Sequence, residues 1–326
     1  MAPNGKSVNL VLGASSIGDS SIDSMARFDT PDQVNGFLNA FAKRGYYQLD
    51  TSRLYSPHAP GTSEPRMGAV DAGDVFTIDT KVGSFEPGCH TKENILKEID
   101  VSLEALRIKQ INIEYLHVPD RATPFKEACE AMDQVHREGK IKSWGLSNYT
   151  AEEVQSFIDI CEEHGFVKPS VYQGHYNAIV RGGENELFPV LRKHGMAFYA
   201  YSPAAGGFFA GNYKQAQAGG RYDQSLAGGK KYTEFYVTPS ITAATEKAID
   251  IASKYGINGH AAALRWTAYH SILKKTHGDS IVIGASSPEQ LESNIDMIEA
   301  GPLPDEVVSA LEAVYEEIGP EISYHM

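Results

Sequence analysis

The chain has 326 residues, 42% of them hydrophobic, and carries 42 acidic against 29 basic side chains for a formal net charge of -13. That length and apolar content allow a large buried core, while the acidity argues against nucleic acid or an anionic membrane as partner, because phosphate surfaces attract basic faces. Cys89, Cys129 and Cys161 show no CxxC spacing, so neither a disulfide framework nor a zinc site is suggested, and reduced thiols in a cytoplasmic protein are the plain reading.

The opening MAPNGKSVNL has no basic region followed by an apolar run. No later stretch reaches the roughly 18 apolar residues needed to span a bilayer. Short β-branched and aromatic runs then alternate with amphipathic stretches of helical length, the pattern of βα units around a parallel sheet. In chain order the strand-like runs are 8–12, 46–50, 75–81, 111–117, 141–146, 170–173, 196–201 and 280–283. Between them, Thr30-Pro31 and Thr123-Pro124 read as a capping hydroxyl before a first-turn proline, and Gly45 and Gly139 as helix stops. Thr150 with Glu153, and Ser287 with Gln290, read as capping boxes. From Ala204 to about Pro239 the sequence is rich in Gly, Ala, Tyr and Lys without a sustained apolar period, which predicts a long loop after strand seven. Eight strands in one unit predict a (β/α)8 TIM barrel, a single domain over 1–326.

In such a barrel the chemistry sits where strands end. Strand two ends in Asp50, three in Lys81, four in His117; five runs into Ser147-Asn148, six into Gln173 and seven into Tyr201-Ser202. Singly, Asp50 is read as a cap, Lys81 as a solvated strand end and His117 as a bonded core residue. Together, three ionisable groups ending successive strands must converge, so that Asp50 holds the Lys81 ammonium. Tyr55, five residues after Asp50, supplies a candidate acid; a free tyrosine titrates at about 10, and a neighbouring ammonium lowers that value.

At these residues the chain resembles the aldo-keto reductase superfamily, over almost its whole length. The resemblance is carried by LDTSRLY, IDTK, IEYLHVPD, GLSNY, VYQGHYN, AYSPAAGG and IVIGASSPEQLESNI. Within the superfamily ELFPVLRKHG, ALRWTAYHS and GPLPDEVV are most similar to the aflatoxin-aldehyde reductase branch. The resemblance implies that Asp50, Tyr55, Lys81 and His117 form a catalytic tetrad, in which Tyr55 protonates the carbonyl oxygen and His117 orients it while hydride leaves a nicotinamide. It further implies that Ser147, Asn148 and Gln173 hold the carboxamide and that Tyr201 stacks on the ring. Ser202, Pro203, Ala204, Gly206 and Gly207 would line the pyrophosphate. Gly284, Ser286, Gln290 and Asn294 would meet the adenosine end, where a helix N-terminus suits the 2′-phosphate of NADPH.

Two departures bear on specificity. Gln290 stands where many relatives have Arg, which leaves the choice of NADPH over NADH open. Lys231-Tyr232 and the final His325-Met326 stand where branch members favouring acidic aldehydes carry Arg, so a bidentate carboxylate clamp is lost. Phe85, with Phe208 or Tyr232, is read as the apolar wall for a small-molecule carbonyl substrate, although Phe85 reads equally as packing. The resemblance allows a homodimer. Rival readings are a selective metabolic reductase and a redox-sensing regulatory subunit of the potassium-channel β type with little turnover.

Overall fold

A short strand leaves its backbone N–H and C=O groups unpaired on both edges unless it has two neighbours. In the computed structural model, which describes residues 8–326, eight strands satisfy that need by closing on one another. They are β1 (Asn9–Gly13), β2 (Gln48–Asp50), β3 (Thr77–Lys81), β4 (Ile111–Leu116), β5 (Ile141–Ser147), β6 (Val171–His175), β7 (Ala197–Tyr201) and β8 (Ser280–Ile283). All pair in parallel in chain order, and β8 returns to β1. The expectation about a leader rests largely on residues 1–7, which lie outside the described residues.

The helices are α1 (Pro31–Ala42), α2 (Ser63–Ala69), α3 (Lys92–Leu106), α4 (Phe125–Arg137), α5 (Ala151–His164), α6 (Gly183–Lys193), α7 (Ala227–Tyr236), α8 (Pro239–Ser253), α9 (Gly259–Tyr269), α10 (Pro288–Glu299) and α11 (Asp305–Ile318). Inside the barrel, Val11, Ile113, Tyr115, Val171, Tyr199 and Val282 pack together, while the outward strand faces join the helices in a larger core. None of the helices among the described residues is long and apolar enough to cross a membrane.

Register does the positioning. Asp50 lies beside Asp79, so Lys81, two residues further along the same inner face, arrives one layer above Asp50. Ser147 pairs with Gln173, and β6 runs on past Gln173 because His175 still pairs with Tyr201. That extension brings His175 to the rim.

The capping expectations divide. Thr30 with Gln33 starts α1, and Thr150 with Glu153 starts α5, each as a reciprocal box. For α4 the expectation is corrected: Pro124 itself holds the extended cap position, and Thr123 Oγ1 donates to Asp120 Oδ2 at 2.6 Å. Ser287 does accept the Gln290 N–H, yet Gln290 Oε1 accepts from the N–H and hydroxyl of Ser286, so the box is one-sided.

The expected long loop after β7 is also corrected. It holds a short 3-10 stretch, Ala205–Ala210, and then α7. The sequence AGGKKYTEFY lacks an ordinary apolar stripe, but Tyr232 and Tyr236, one turn apart, share a face. Tyr236 stacks on Phe208 at 5.7 Å, and Tyr232 meets Tyr222 edge-on at 6.1 Å. Large aromatic surfaces removed from water supply what periodicity does not.

Candidate active site

At the carboxyl rim, Lys81 is fully buried and its Nζ donates at 2.7 Å to both Asp50 Oδ2 and the Thr51 carbonyl. Gln173 Nε2 donates to the other Asp50 oxygen at 2.7 Å. Charges so deep are tolerable only when paired and hydrogen-bonded on their remaining sides, and this pair is. Burial alone would lower the lysine, but the Asp50 carboxylate and the Tyr55 phenol outweigh it and hold the ammonium above its usual range. The positive charge is permanent at working pH.

Tyr55 is half-buried, and the Lys81 ammonium stands 4.8 Å from its ring centroid. The expectation of a phenol lowered by that ammonium needs correction. Burial pushes the Tyr55 hydroxyl upward, and Lys81 pulls it down by less, so it titrates above its ordinary 10. Tyr55 is thus fully protonated near neutrality.

His117 meets the Tyr55 ring edge-on, centroids 5.9 Å apart. Burial, then the Lys81 charge, holds its imidazole well below 6.5, so it is neutral at pH 7. Asp50, Tyr55, Lys81 and His117 therefore come together as a fixed buried cation, a protonated acid and a neutral hydrogen-bonding ring. Such a set can polarise and protonate a carbonyl oxygen placed between phenol and imidazole.

Next to this set, Asn148 Nδ2 donates to the His117 carbonyl and to Ser147 Oγ, and Asn148 Oδ1 accepts from the Tyr201 hydroxyl at 2.7 Å. Asn148 is thus engaged with its neighbours, and adopts φ of 68° to do so. The Ser147 hydroxyl and Gln173 Oε1 remain able to meet a carboxamide. His175 lies parallel to Tyr201, ring centroids 5.2 Å apart at 5°. His175 was missed from sequence; it backs the ring from beneath and hydrogen-bonds the Tyr236 hydroxyl of α7.

Ser202, Pro203, Ala204, Gly206 and Gly207 follow directly, with Ser202, Gly206 and Gly207 all at positive φ. Tyr232 covers this strip: its hydroxyl lies 3.0 Å from Ser202 Oγ, and a Cβ on Gly206 would sit 2.5 Å from its ring. Gly284, Ser286, Gln290 and Asn294 gather at the start of α10, where Asn294 Nδ2 donates to the Gly284 carbonyl and its Oδ1 bonds His260. Buried His260 Nδ1 has no partner, an orphaned polar atom beside the expected adenosine end. The Ser147 hydroxyl, Gln173 Oε1 and the orphaned His260 Nδ1, together with the Tyr201 ring, fit the polar and aromatic needs of a dinucleotide.

Phe85 is 70% exposed with φ of 81°, on the loop after β3, so it is free of the core. This disposes of the packing alternative. Lys231 lies over the Phe235 ring at 5.4 Å, with no carboxylate partner among the described residues. The structure adds Arg221, whose charge reaches the Tyr55 phenol and whose Nη2 donates to Ser15 Oγ at 2.9 Å. It is the one arginine in the 204–239 stretch, a signal the sequence did offer. Among the described residues no group of three or more His, Cys, Asp or Glu could hold a metal.

Comparison with known proteins agrees with the geometry. The Aldo/keto reductase family matches residues 9–316. The chain is 37% identical over 311 residues to Oxidoreductase sirO of Leptosphaeria maculans, covering 94% of this chain and 93% of that one. It is 36% identical over 310 residues to human Aflatoxin B1 aldehyde reductase member 2, covering 90% and 85%. To the Aldo-keto reductase pigE of Monascus ruber it is 30% identical, covering 95% and 94%.

Proposed function

The chain belongs to the aldo/keto reductase family, and from that membership we propose that it reduces aldehydes or ketones to alcohols with NADPH, Tyr55 serving as the acid. One observation carries the proposal: a protonated phenol and a neutral imidazole flank one point on the rim, backed by a buried Lys–Asp pair. Bound, the nicotinamide cofactor supplies hydride to the carbonyl carbon. Tyr55 gives its proton to the oxygen as negative charge develops there, and His117 hydrogen-bonds the same oxygen. Lys81 stabilises the phenolate left behind, and Asp50 keeps Lys81 in place.

Ser147 and Gln173 would hold the carboxamide, Tyr201 the ring face, and the strip from Ser202 to Gly207 the pyrophosphate. At the far end the first turn of α10, with Ser286, Gln290 and Asn294, would take the adenosine. The positive end of the α10 dipole favours the 2′-phosphate of NADPH, even though Pro288 has no N–H, the Gln290 N–H is taken by Ser287 and Gln290 brings no charge.

Phe85 and Tyr232 would form the apolar wall of the pocket, and the name of the human relative suggests bulky aldehydes. Lys231 offers a carboxylate a single mobile charge instead of a planar fork, so acidic aldehydes should be poorer substrates than neutral aromatic ones. A panel of aldehydes tested by loss of NADPH absorbance should show that order. No consumption with any aldehyde, while NADPH still binds, would refute the proposal.

The pyrophosphate strip has its own test. Gly206 holds φ of 62° against the Tyr232 ring, so Gly206→Ala combines backbone strain with a clash. Fluorescence titration should give an NADPH Kd raised about tenfold, with kcat at saturating cofactor little changed. An unchanged Kd would remove the strip from the cofactor site.

A further inference from the structure

Ser52 stands two residues after Asp50, fully buried, and has no part in the reading above. Its Oγ lies 3.1 Å from His117 Nδ1 and accepts the Leu54 N–H, also at 3.1 Å. We propose that Ser52 is a positioning residue that fixes which nitrogen of His117 carries the proton, holding it on Nε2. The inference rests on the proposed role of His117 toward the substrate oxygen.

A neutral imidazole has one N–H and one lone pair, and their assignment is set by whatever bonds the nitrogen away from the reacting group. A serine hydroxyl has one hydrogen and two lone pairs. Here the Leu54 N–H takes one lone pair, and among the described residues the hydroxyl hydrogen has no acceptor other than His117 Nδ1. If Nδ1 instead carried the proton and donated to Oγ, the hydroxyl hydrogen would be buried without a partner, which costs about 1 to 3 kcal/mol. The favoured arrangement is therefore O–H of Ser52 to Nδ1, and N–H on Nε2. Among the described residues Nε2 has no hydrogen-bond partner, so its hydrogen is available to a carbonyl oxygen.

The opposite tautomer would present a lone pair to that oxygen and repel it. Groups around the ring do not undo the preference: Tyr55 meets it edge-on, the Lys81 charge opposes a second proton on it, and His90, lowered to about 4 by burial, is neutral at pH 7. Ser52 would thus convert a neutral histidine, which could point either way, into a donor aimed at the substrate.

The test is nitrogen-15 NMR of the full chain labelled at histidine, with and without NADPH, the His117 signals being identified by their loss in His117→Gln. The expected result is a protonated, pyrrole-type Nε2 and an unprotonated, hydrogen-bonded Nδ1. In Ser52→Ala the Nδ1 signal should shift and the two tautomers mix. That variant should lose about tenfold in kcat at unchanged NADPH Kd, the cost of roughly one hydrogen bond, and Ser52→Thr should recover most of it. A wild-type His117 protonated on Nδ1 overturns the proposal, and so does a Ser52→Ala enzyme with normal kcat and an unmoved nitrogen spectrum. If Ser52→Ala does not fold, the wild-type spectrum alone decides. Absence of carbonyl reduction by the wild type would count against the proposed function and leave the tautomer measurement standing, so the two failures are separable.

Discussion

Replacing Tyr55 by Phe is expected to lower kcat for aldehyde reduction by about a thousandfold, within the range a positioned general acid contributes. Phe keeps the ring that meets His117 edge-on and lies beside the Lys81 ammonium, so the fold and NADPH affinity should change little. The pH dependence gives a second reading of the same residue. Burial holds the phenol above 10 despite the opposing pull of Lys81, so the protonated form needed for reduction is full across neutrality. Reduction by the wild type should be flat between about pH 6 and 9 as far as this group is concerned, and should fall only where the phenol ionises. Alcohol oxidation needs the phenolate and should climb as pH rises toward that same point. Both limbs should vanish in Tyr55→Phe, and a variant with near wild-type kcat would remove Tyr55 as the acid.

Much of this was legible in the sequence because strand ends are informative in a barrel. Asp50 and Lys81 each close a strand and His117 directly follows one, and parallel pairing with fixed inward alternation forces them to one rim. Residues whose roles depend on partners distant in the chain were harder to read. Ser52 looks like any serine after a strand until His117, 65 residues away, is placed against it. His175 is hidden in the sequence because nothing local extends its strand past Gln173; only pairing with β7 carries the strand on to meet Tyr201. Helix α7 leaves no signal in the sequence because its stability comes from aromatic contacts with Phe208 and Tyr222, which no local period records. For Tyr55 the sequence shows the pull of Lys81 and not the larger push of burial, because the charge beside a group can be inferred from neighbouring motifs whereas the extent of its burial cannot.

The Lys81–Asp50 pair should separate structure from chemistry. Lys81→Met removes the cation that stabilises the Tyr55 phenolate, and kcat should fall by at least two orders of magnitude, in line with losses of a buried electrostatic contributor. It also leaves the Asp50 carboxylate buried, with only the Gln173 amide donating to it through a side chain. Breaking one half of a buried pair costs about 3 to 5 kcal/mol, because the surviving charge is uncompensated. Urea unfolding should show that loss in Lys81→Met. Adding Asp50→Asn to the same chain removes the stranded charge, so the double variant should be more stable than Lys81→Met alone and just as inactive. The pH sign is fixed by the lysine. Its folded pKa lies above its unfolded value of about 10.5, so its share of stability is complete below that value and is lost as pH rises through the folded one. Wild-type stability should therefore not vary through Lys81 around pH 7; the Lys81→Met deficit should shrink in strong alkali, where the wild type loses its ammonium, and also toward acid, where the stranded Asp50 and its neighbour Asp79, pushed up to about 8 by burial, take up protons. A Lys81→Met protein as stable as the wild type, or a double variant less stable than the single, would mean that the pair does not hold this rim together.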